Sequence, residues 1–301
     1  MTFATLKARI AGETGLDTTT DATVLGAWAN TAYKSILGQF RWPWLLKNSI
    51  IQTVADITTG TVSVNAGATS ASFSSAPAVS VANQYMIQFP TVSDDWYIIS
   101  AHTAAQTAFT LANAFVGTVN LSGGTYICRK VYYSFPSDCD GIISLRQVQT
   151  YQDLIPVDIR TFDRYLPDPI ATGTPLVFGL AGYDTSKNWQ TVLYPTPTAV
   201  INLQCRYYQM PADMSADGDL PLLPEKFHDL IVFQALFNYG HPYIDDNRWE
   251  QAKKRVEFMM ADMKNNYNPM KSQISVIQTW DSRPRRTTGL RWPNNYPEYW
   301  R

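Results

Sequence analysis

The residues of this chain that could act in catalysis or bind metal are few and widely spaced. The three histidines are His102, His228 and His241, and no HExxH motif or histidine pair at metal-binding spacing includes them. A stretch with two glycines, residues 121–125, lacks the lysine of a phosphate-binding loop, so we interpret it as a turn between strands. No GxSxG motif is present either. These patterns predict no catalytic residue, and we expect the protein not to be an enzyme.

Thiols and carboxylates give no stronger candidates. Cys128, Cys139 and Cys205 form no CxxC pair, so their spacing indicates neither a disulfide framework nor a zinc site. The acidic pairs Asp94-Asp95 and Asp245-Asp246 are adjacent in sequence, and adjacent side chains point apart on a strand or helix. We interpret the first pair as a turn and the second as a helix start. We therefore expect reduced cysteines, no bound metal and no cofactor.

The most distinctive chemistry lies at the C-terminal end, in residues 268–301. From Lys271 onward this arm has six basic and two acidic residues, for a net charge of +4. Its prolines favour an extended backbone, and it has too few aliphatic residues for a core of its own. Arginine and aromatic side chains are the usual anchors of protein interfaces. We expect the arm to bind a partner through the following side chains: Trp280, Arg283, Arg285, Arg286, Arg291, Trp292, Tyr296, Tyr299 and Trp300. Two alternatives are a disordered terminus and a nucleic-acid role for Arg283, Arg285 and Arg286.

Composition favours a protein that buries its surface against neighbouring molecules. Charged residues make up 16% of the chain and aromatic residues 13%, whereas soluble domains typically have roughly 25% charged residues. The alternative is a neutral, β-rich monomer. The net charge of −1 provides no overall field for nucleic acid. We find no signal peptide and no apolar run long enough to span a membrane, so we expect synthesis in the cytoplasm and no membrane partner.

Helical periodicity occurs near both ends of the chain. In the first part, 1–47, we predict a short helix with Phe3, Leu6 and Ile10 on one face, followed by a helix capped by Thr20 or Asp21 that runs to about residue 38. The apolar face of the second helix comprises Leu25, Trp28, Ala32 and Ile36. Pro43 prevents its continuation.

The second helical part is 221–267. Here Pro224 suits the first position of a helix that is apolar nearly all round and ends at Gly240. Asp245 and Asp246 begin the last helix, and Asn265, Asn266 and Pro269 are predicted to end it. Its apolar stripe comprises Trp249, Ala252, Val256, Met259, Met260 and Met263. The stripe could be a core face or an adaptable binding face.

Between the helical parts, the first inserted segment, 48–130, alternates like short strands. We predict strands at residues 61–64, 70–73, 85–89, 96–99, 108–111 and 125–127. Six such strands favour a small barrel or sandwich. Residues 48–128 contain three acidic residues and no lysine or arginine. This segment therefore cannot bind nucleic acid by neutralising its phosphates. Carbohydrate binding through Trp96 and Tyr97 is an alternative, although core or interface aromatics are more common.

The second inserted segment, 131–220, is also β-rich. We predict strands at residues 131–135, 141–146, 176–180, 190–194 and 201–208, with a short helix and loop within 153–169. The predicted fold class is therefore α+β. It is a discontinuous helical bundle from both chain ends, with an inserted small β-barrel or sandwich, a second β-rich segment packed beside the bundle and an extended C-terminal arm.

Four short motifs in the sequence resemble those of a known family. They are FRWPWL at residues 40–45, the barrel-like run from residue 60 to residue 99, YSFPSD at 133–138 and LLPEKFHDLI at 222–231. The third is similar to a Tyr-x-Leu-Pro-x-Asp pattern, and the fourth to Leu-Pro-x-x-(Phe/Tyr)-His. With these motifs, about 270 residues resemble head–tail connector (adaptor) proteins of short-tailed and related double-stranded DNA bacteriophages. Residues 153–169 and the arm match no pattern of that family.

The resemblance implies a structural virion protein at the head–tail junction. It implies a homo-oligomeric ring, usually a dodecamer, that attaches to the portal protein, completes the head after DNA packaging and offers a docking surface to tail or nozzle proteins. It also implies that double-stranded DNA passes through the ring during ejection without specific binding. The C-terminal arm would then reach the portal or a neighbouring subunit. A carbohydrate- or receptor-binding tail accessory protein is the alternative function.

Overall fold

A computed structural model describes residues 1–165 and 171–267 of this α+β protein. Within these residues there are five helices: α1 Phe3–Thr14, α2 Ala22–Gly38, α3 Ile159–Tyr165, α4 His228–Tyr239 and α5 Asp246–Tyr267. Two short 3-10 turns, Pro43–Leu45 and Glu225–Phe227, accompany them. The chain divides into two compact units. The helical unit comprises Met1–Leu45 and the described residues from Asp213 onward, and the β unit comprises Leu46–Ala212.

The β unit contains fourteen strands among the described residues. In chain order they are β1 Leu46–Gln52, β2 Val62–Val64, β3 Ser70–Phe73, β4 Tyr85–Phe89, β5 Ser93–His102, β6 Ala108–Leu111, β7 Leu121–Gly124, β8 Ile127–Lys130, β9 Tyr132–Ser134, β10 Cys139–Gln147, β11 Ile155–Val157, β12 Val177–Tyr183, β13 Trp189–Tyr194 and β14 Asn202–Gln209. They form a seven-stranded, a four-stranded and a three-stranded sheet.

In the helical unit, helices from both ends of the chain contact one another. α4 touches α1, α2 and α5, and α1 touches α2. On the predicted face of α2, Leu25, Ala32 and Ile36 are completely buried, and Trp28 stacks on Tyr239 of α4 with ring centroids 5.5 Å apart. Burial of these apolar side chains, more than intrinsic helix propensity, stabilises helices of this length.

The N-terminal end of α2 differs from the prediction. Asp21 precedes the helix, but its side chain does not cap a helix N–H. Its carboxylate instead accepts a hydrogen bond from the backbone N–H of Asp17 at 3.0 Å, and the Asp17 carboxylate accepts from the N–H groups of Thr19 and Thr20, both at 2.8 Å. The turn before the helix therefore competes for the capping carboxylate.

Two further helix boundaries are corrected. Pro224 lies before the 3-10 turn Glu225–Phe227 and not at the first position of α4. Asn265 and Asn266 lie inside α5, which continues to Tyr267, so asparagine does not end this helix. The stripe of α5 faces the core as predicted, with Ala252, Val256, Met260 and Met263 buried. Pro269 lies outside the described residues.

The seven-stranded sheet has the order β7-β2-β3-β6-β5-β4-β8. Its two outer strands follow each other in the chain with only Thr125 and Tyr126 between them, so the sheet curls into a half-barrel around its own apolar core. Three local predictions were wrong. Residues 121–124 form a strand and not a turn, Thr125 and Tyr126 lie outside the strands, and Asp94-Asp95 lies within β5.

The three-stranded sheet has the order β1-β14-β10, and the four-stranded sheet the order β11-β12-β13-β9. β1 pairs with β14 from Leu46↔Tyr208 to Gln52↔Asn202. The strand that begins at Leu46 therefore joins strands from the far end of the β unit, and the predicted boundary at residue 48 cuts through it. Within 153–169 the predicted short helix is present as α3, whereas β11 was missed.

Candidate interaction surface

The nine arm side chains predicted to bind a partner, from Trp280 to Trp300, lie outside the described residues. The structure therefore does not test that prediction. The remaining candidates from the sequence lie in the described parts of the two units.

Each histidine side chain lies beside polar groups of the protein. The ring nitrogens of His102 lie 3.2 Å from the backbone nitrogen of Val81 and 3.0 Å from the carbonyl oxygen of Gln106, which ties a turn to β5. His228 is buried, and its Nε2 lies 2.9 Å from the carbonyl oxygen of Leu223. Because a carbonyl only accepts, this nitrogen carries the proton. His241 is exposed beside Asp246 at the start of α5.

Cys128, Cys139 and Cys205 are free and buried. Burial is the main cause that raises the pKa of Cys128 and Cys205 to about 12 and that of Cys139 to about 11. A thiol with such a pKa is a poor nucleophile near neutral pH, because the thiolate is the reactive form. Within residues 1–165 and 171–267, no cluster of three or more histidine, cysteine or acidic side chains could hold a metal ion.

Trp96 and Tyr97 do not form the exposed aromatic platform that the carbohydrate alternative requires. They are neighbours on β5, so their side chains point to opposite faces of the sheet. Tyr97 is buried and packs against Phe89 and Phe115 in the core of the half-barrel. The Trp96 ring is covered by the guanidinium of Arg129, with the Arg129 Cζ atom 5.0 Å from the ring centroid.

A groove lies between the edges of the two smaller sheets, at the outer side of β10. Residues 152–154 first continue beside the end of β10, where the Leu154 N–H donates to the Leu145 carbonyl at 2.8 Å. At Ile155 the chain turns to the other sheet and pairs in parallel with β12. Residues 142–144 at the edge of β10 and residues 156–157 at the edge of β11 thus both line the groove. The register of β10 with β14 is interrupted at Ile143.

The groove is apolar with an acidic component. Its volume is about 550 Å³, and its lining residues are Ile142, Ile143, Ser144, Asp153, Leu154, Pro156, Val157, Asp158, Ile159, Phe178 and Leu180. Ile143 and Leu180 are 47% and 38% exposed, so both present apolar surface to solvent at the groove. Among the described residues, the lining contains two aspartates and no lysine, arginine or histidine. We call this surface the β10–β11 groove. It suits an extended peptide with apolar and basic residues.

The sequence did not predict the β10–β11 groove. Its lining comes from three separate stretches, 142–144, 153–159 and 178–180, whose proximity depends on sheet pairing. The mixture of aspartates with apolar residues between 153 and 159 was the available local signal, but it was interpreted as loop and helix.

A family model described as SU10 adaptor protein matches residues 80–288, which is more than half of the chain. No protein in a search of curated sequences matches the chain. Across the described parts of the chain, the helices are too short or too polar to cross a membrane.

Proposed function

The chain belongs to the SU10 adaptor protein family, and from this premise we propose that it forms the adaptor ring between portal and tail in a phage virion. Membership makes it a phage adaptor-type structural protein and a virion component. The finer role is our proposal. A ring of twelve copies attaches to the portal protein, completes the head after DNA packaging and presents a surface to tail or nozzle proteins. The family match over residues 80–288 carries the proposal.

The distribution of charge supports a role as a DNA conduit. The net charge is −1, and residues 48–128 have no lysine or arginine. A wall along which DNA slides during ejection should not neutralise many phosphates, because each neutralised phosphate adds binding free energy that would retard movement. We therefore propose that DNA passes through the ring without specific binding.

The surroundings of the titratable groups support a structural role without catalysis. The three thiols are buried with raised pKa values. Two histidines, His102 and His228, hold backbone groups in place. We propose that the protein acts by assembly alone and that it occupies the head–tail junction after synthesis in the host cytoplasm.

Electron microscopy of a reconstituted complex tests the proposed function. The full chain is mixed with purified portal protein of the same phage, and particles are classified by symmetry. We expect a ring of this protein on one end of the portal, with twelve copies per portal ring. The chain without portal serves as the control. Particles in which the portal carries no additional density at saturating concentrations of the chain would contradict the proposal.

A further inference from the structure

We propose that the β10–β11 groove of one subunit binds residues 271–286 from the C-terminal arm of a second copy of this chain. This inference rests on the proposed function, since neighbouring copies meet in the ring. It assigns a binding site to the arm and identifies the partner as another subunit. The bound segment would adopt an extended conformation along the edge of β10 or β11.

The groove has the features of a site for an added strand. β10 is the last strand of the three-stranded sheet and β11 is the last strand of the four-stranded sheet, so two sheet edges face the same groove. Edge strands present backbone N–H and C=O groups that an extended peptide can pair with, and pockets beside the edge select its side chains. The exposed Ile143 and Leu180 provide apolar contact area at this position.

Residues 271–286 have the complementary sequence. Ile274, Val276, Ile277 and Trp280 are β-branched or aromatic, and such residues are favoured in strands. The segment contains four basic residues and one acidic residue. The described lining of the β10–β11 groove includes Asp153 and Asp158 and no basic residue. Opposite charges at the rim of an apolar groove favour one orientation and register of a bound segment.

The length of the arm permits contact with a neighbouring copy. An extended chain covers at most roughly 3.5 Å per residue, so the segment between Tyr267 and Arg286 can span up to roughly 65 Å. Addition of an arm strand to the groove of the next subunit would link neighbouring copies. It would also bury apolar sheet edges that are otherwise exposed in a chain with only 16% charged residues.

Photocross-linking in the full-length chain tests the inference. The photoreactive residue p-benzoylphenylalanine replaces Ile143, and ordinary and heavy-isotope copies are mixed before assembly on the portal. We expect mass spectrometry to find mixed-isotope products that join position 143 to residues 271–286. The same substitution at Ile50, which is 61% exposed on β1, is the control and should give at least about tenfold less of this product.

Charge reversal tests the chemistry of recognition. Asp153→Lys together with Asp158→Lys should lower the yield of the mixed-isotope product at least roughly tenfold, and Arg285→Glu with Arg286→Glu on the arm should restore it. Asp140→Lys, at an exposed carboxylate on β10 that does not line the groove, should leave the yield unchanged. A yield that does not respond to the reversal would overturn the assignment of residues 271–286 to this groove.

The outcomes also separate this inference from the proposed function. Rings on the portal without mixed-isotope products, or with products only within one copy or with the portal, overturn the inference and leave the function standing. Mixed-isotope products in a chain that does not assemble on the portal support the inference and contradict the function. If neither rings on the portal nor mixed-isotope products form, the inference and the proposed function are both contradicted.

Discussion

At the scale of single residues, Asp56 and Arg129 form a buried ion pair that joins the segment before the half-barrel to β8. Arg129 donates from Nε to Asp56 Oδ1 at 3.0 Å and from Nη2 to Oδ2 at 2.7 Å. The Arg129 side chain is 7% exposed and the Asp56 side chain is 16% exposed. The planar guanidinium matches both carboxylate oxygens and stacks on Trp96, a geometry that lysine could not reproduce.

Asp56→Ala should destabilise the β unit by roughly 3 kcal/mol, because it leaves the Arg129 charge buried without its carboxylate. Chemical denaturation monitored by tryptophan fluorescence measures the change. Asp94→Ala, which removes an exposed carboxylate on β5, is the matched control and should change the free energy of unfolding by less than about 0.5 kcal/mol. Equal stabilities of the two variants would show that the ion pair contributes nothing.

The thiols of Cys128, Cys139 and Cys205 should be unreactive in the folded protein. They are buried, and burial raises the pKa of each thiol to about 11 or 12, so the thiolate fraction at pH 8 is small. A thiol-reactive disulfide reagent should react with the chain only after denaturant is added and then modify three cysteines. Rapid modification of the native protein would contradict this prediction.

At the scale of elements, Asp138 ties the three strands of the β1-β14-β10 sheet together. It immediately precedes β10, and its carboxylate accepts from Lys47 Nζ of β1 at 2.6 Å and from Tyr207 Oη of β14 at 2.9 Å. Burial alone would raise the pKa of Asp138, but the hydrogen bonds from Lys47 and Tyr207 offset burial and leave the pKa lowered. Asp138 is also the final residue of the YSFPSD motif, so the motif has a structural explanation.

The lowered pKa of Asp138 predicts acid sensitivity. A carboxyl whose pKa is lower in the folded state stabilises the fold above its unfolded pKa of about 3.9, and this stability is lost as the pH falls through the folded pKa. Asp138→Asn should therefore cost roughly 1 kcal/mol or less at pH 7 and reduce the loss of stability below about pH 4.

Denaturation midpoints measured across this pH range test the prediction for Asp138. Asp140→Asn, at an exposed neighbouring carboxylate, provides the control and should follow the unmodified protein. Curves for Asp138→Asn and the unmodified protein that stay parallel from neutral to acidic pH would show that this carboxyl is not the source of the acid sensitivity.

At the scale of the whole molecule, the arm and the two folded units should be separable in function. The last described helix ends at Tyr267, and the described residues of each unit include many buried apolar side chains. Deletion of residues 271–301 should therefore preserve helix and strand content. It should abolish attachment to the portal, because it removes both the proposed contact between neighbouring subunits and the aromatic anchors of the arm. Circular dichroism measures the first property and co-sedimentation with portal particles the second.

Deletion of the six residues 296–301 would be the partial control, since it removes Tyr296, Tyr299 and Trp300 but keeps most arginines. We expect weakened attachment, because aromatic anchors contribute much of the binding free energy at interfaces. Unimpaired attachment of the chain that lacks residues 271–301 would count against any role of the arm in assembly.

Elements whose signal is local could be predicted from the amino-acid sequence. Leu25, Ala32 and Ile36 predicted the buried face of α2 because a helix repeats every 3.6 residues, and the alternation in 70–73, 85–89 and 108–111 predicted three strands with their observed bounds. These patterns require only near neighbours in the chain. The motifs at residues 133–138 and 222–231 likewise led to an adaptor-type family without any knowledge of contacts.

In contrast, the assignment of strands to sheets and the position of the β10–β11 groove depend on long-range contacts. The sheet to which β1 belongs could not be predicted, because its partner β14 lies more than a hundred residues further along the chain. Nothing in the sequence near Ile51 indicates that it pairs with Leu203. β11 has three residues including Pro156, and it exists because it pairs with β12 at a sheet edge, where a missing N–H is tolerated. Pairing between distant strands minimises the free energy of the whole chain, so a short window of sequence cannot specify it.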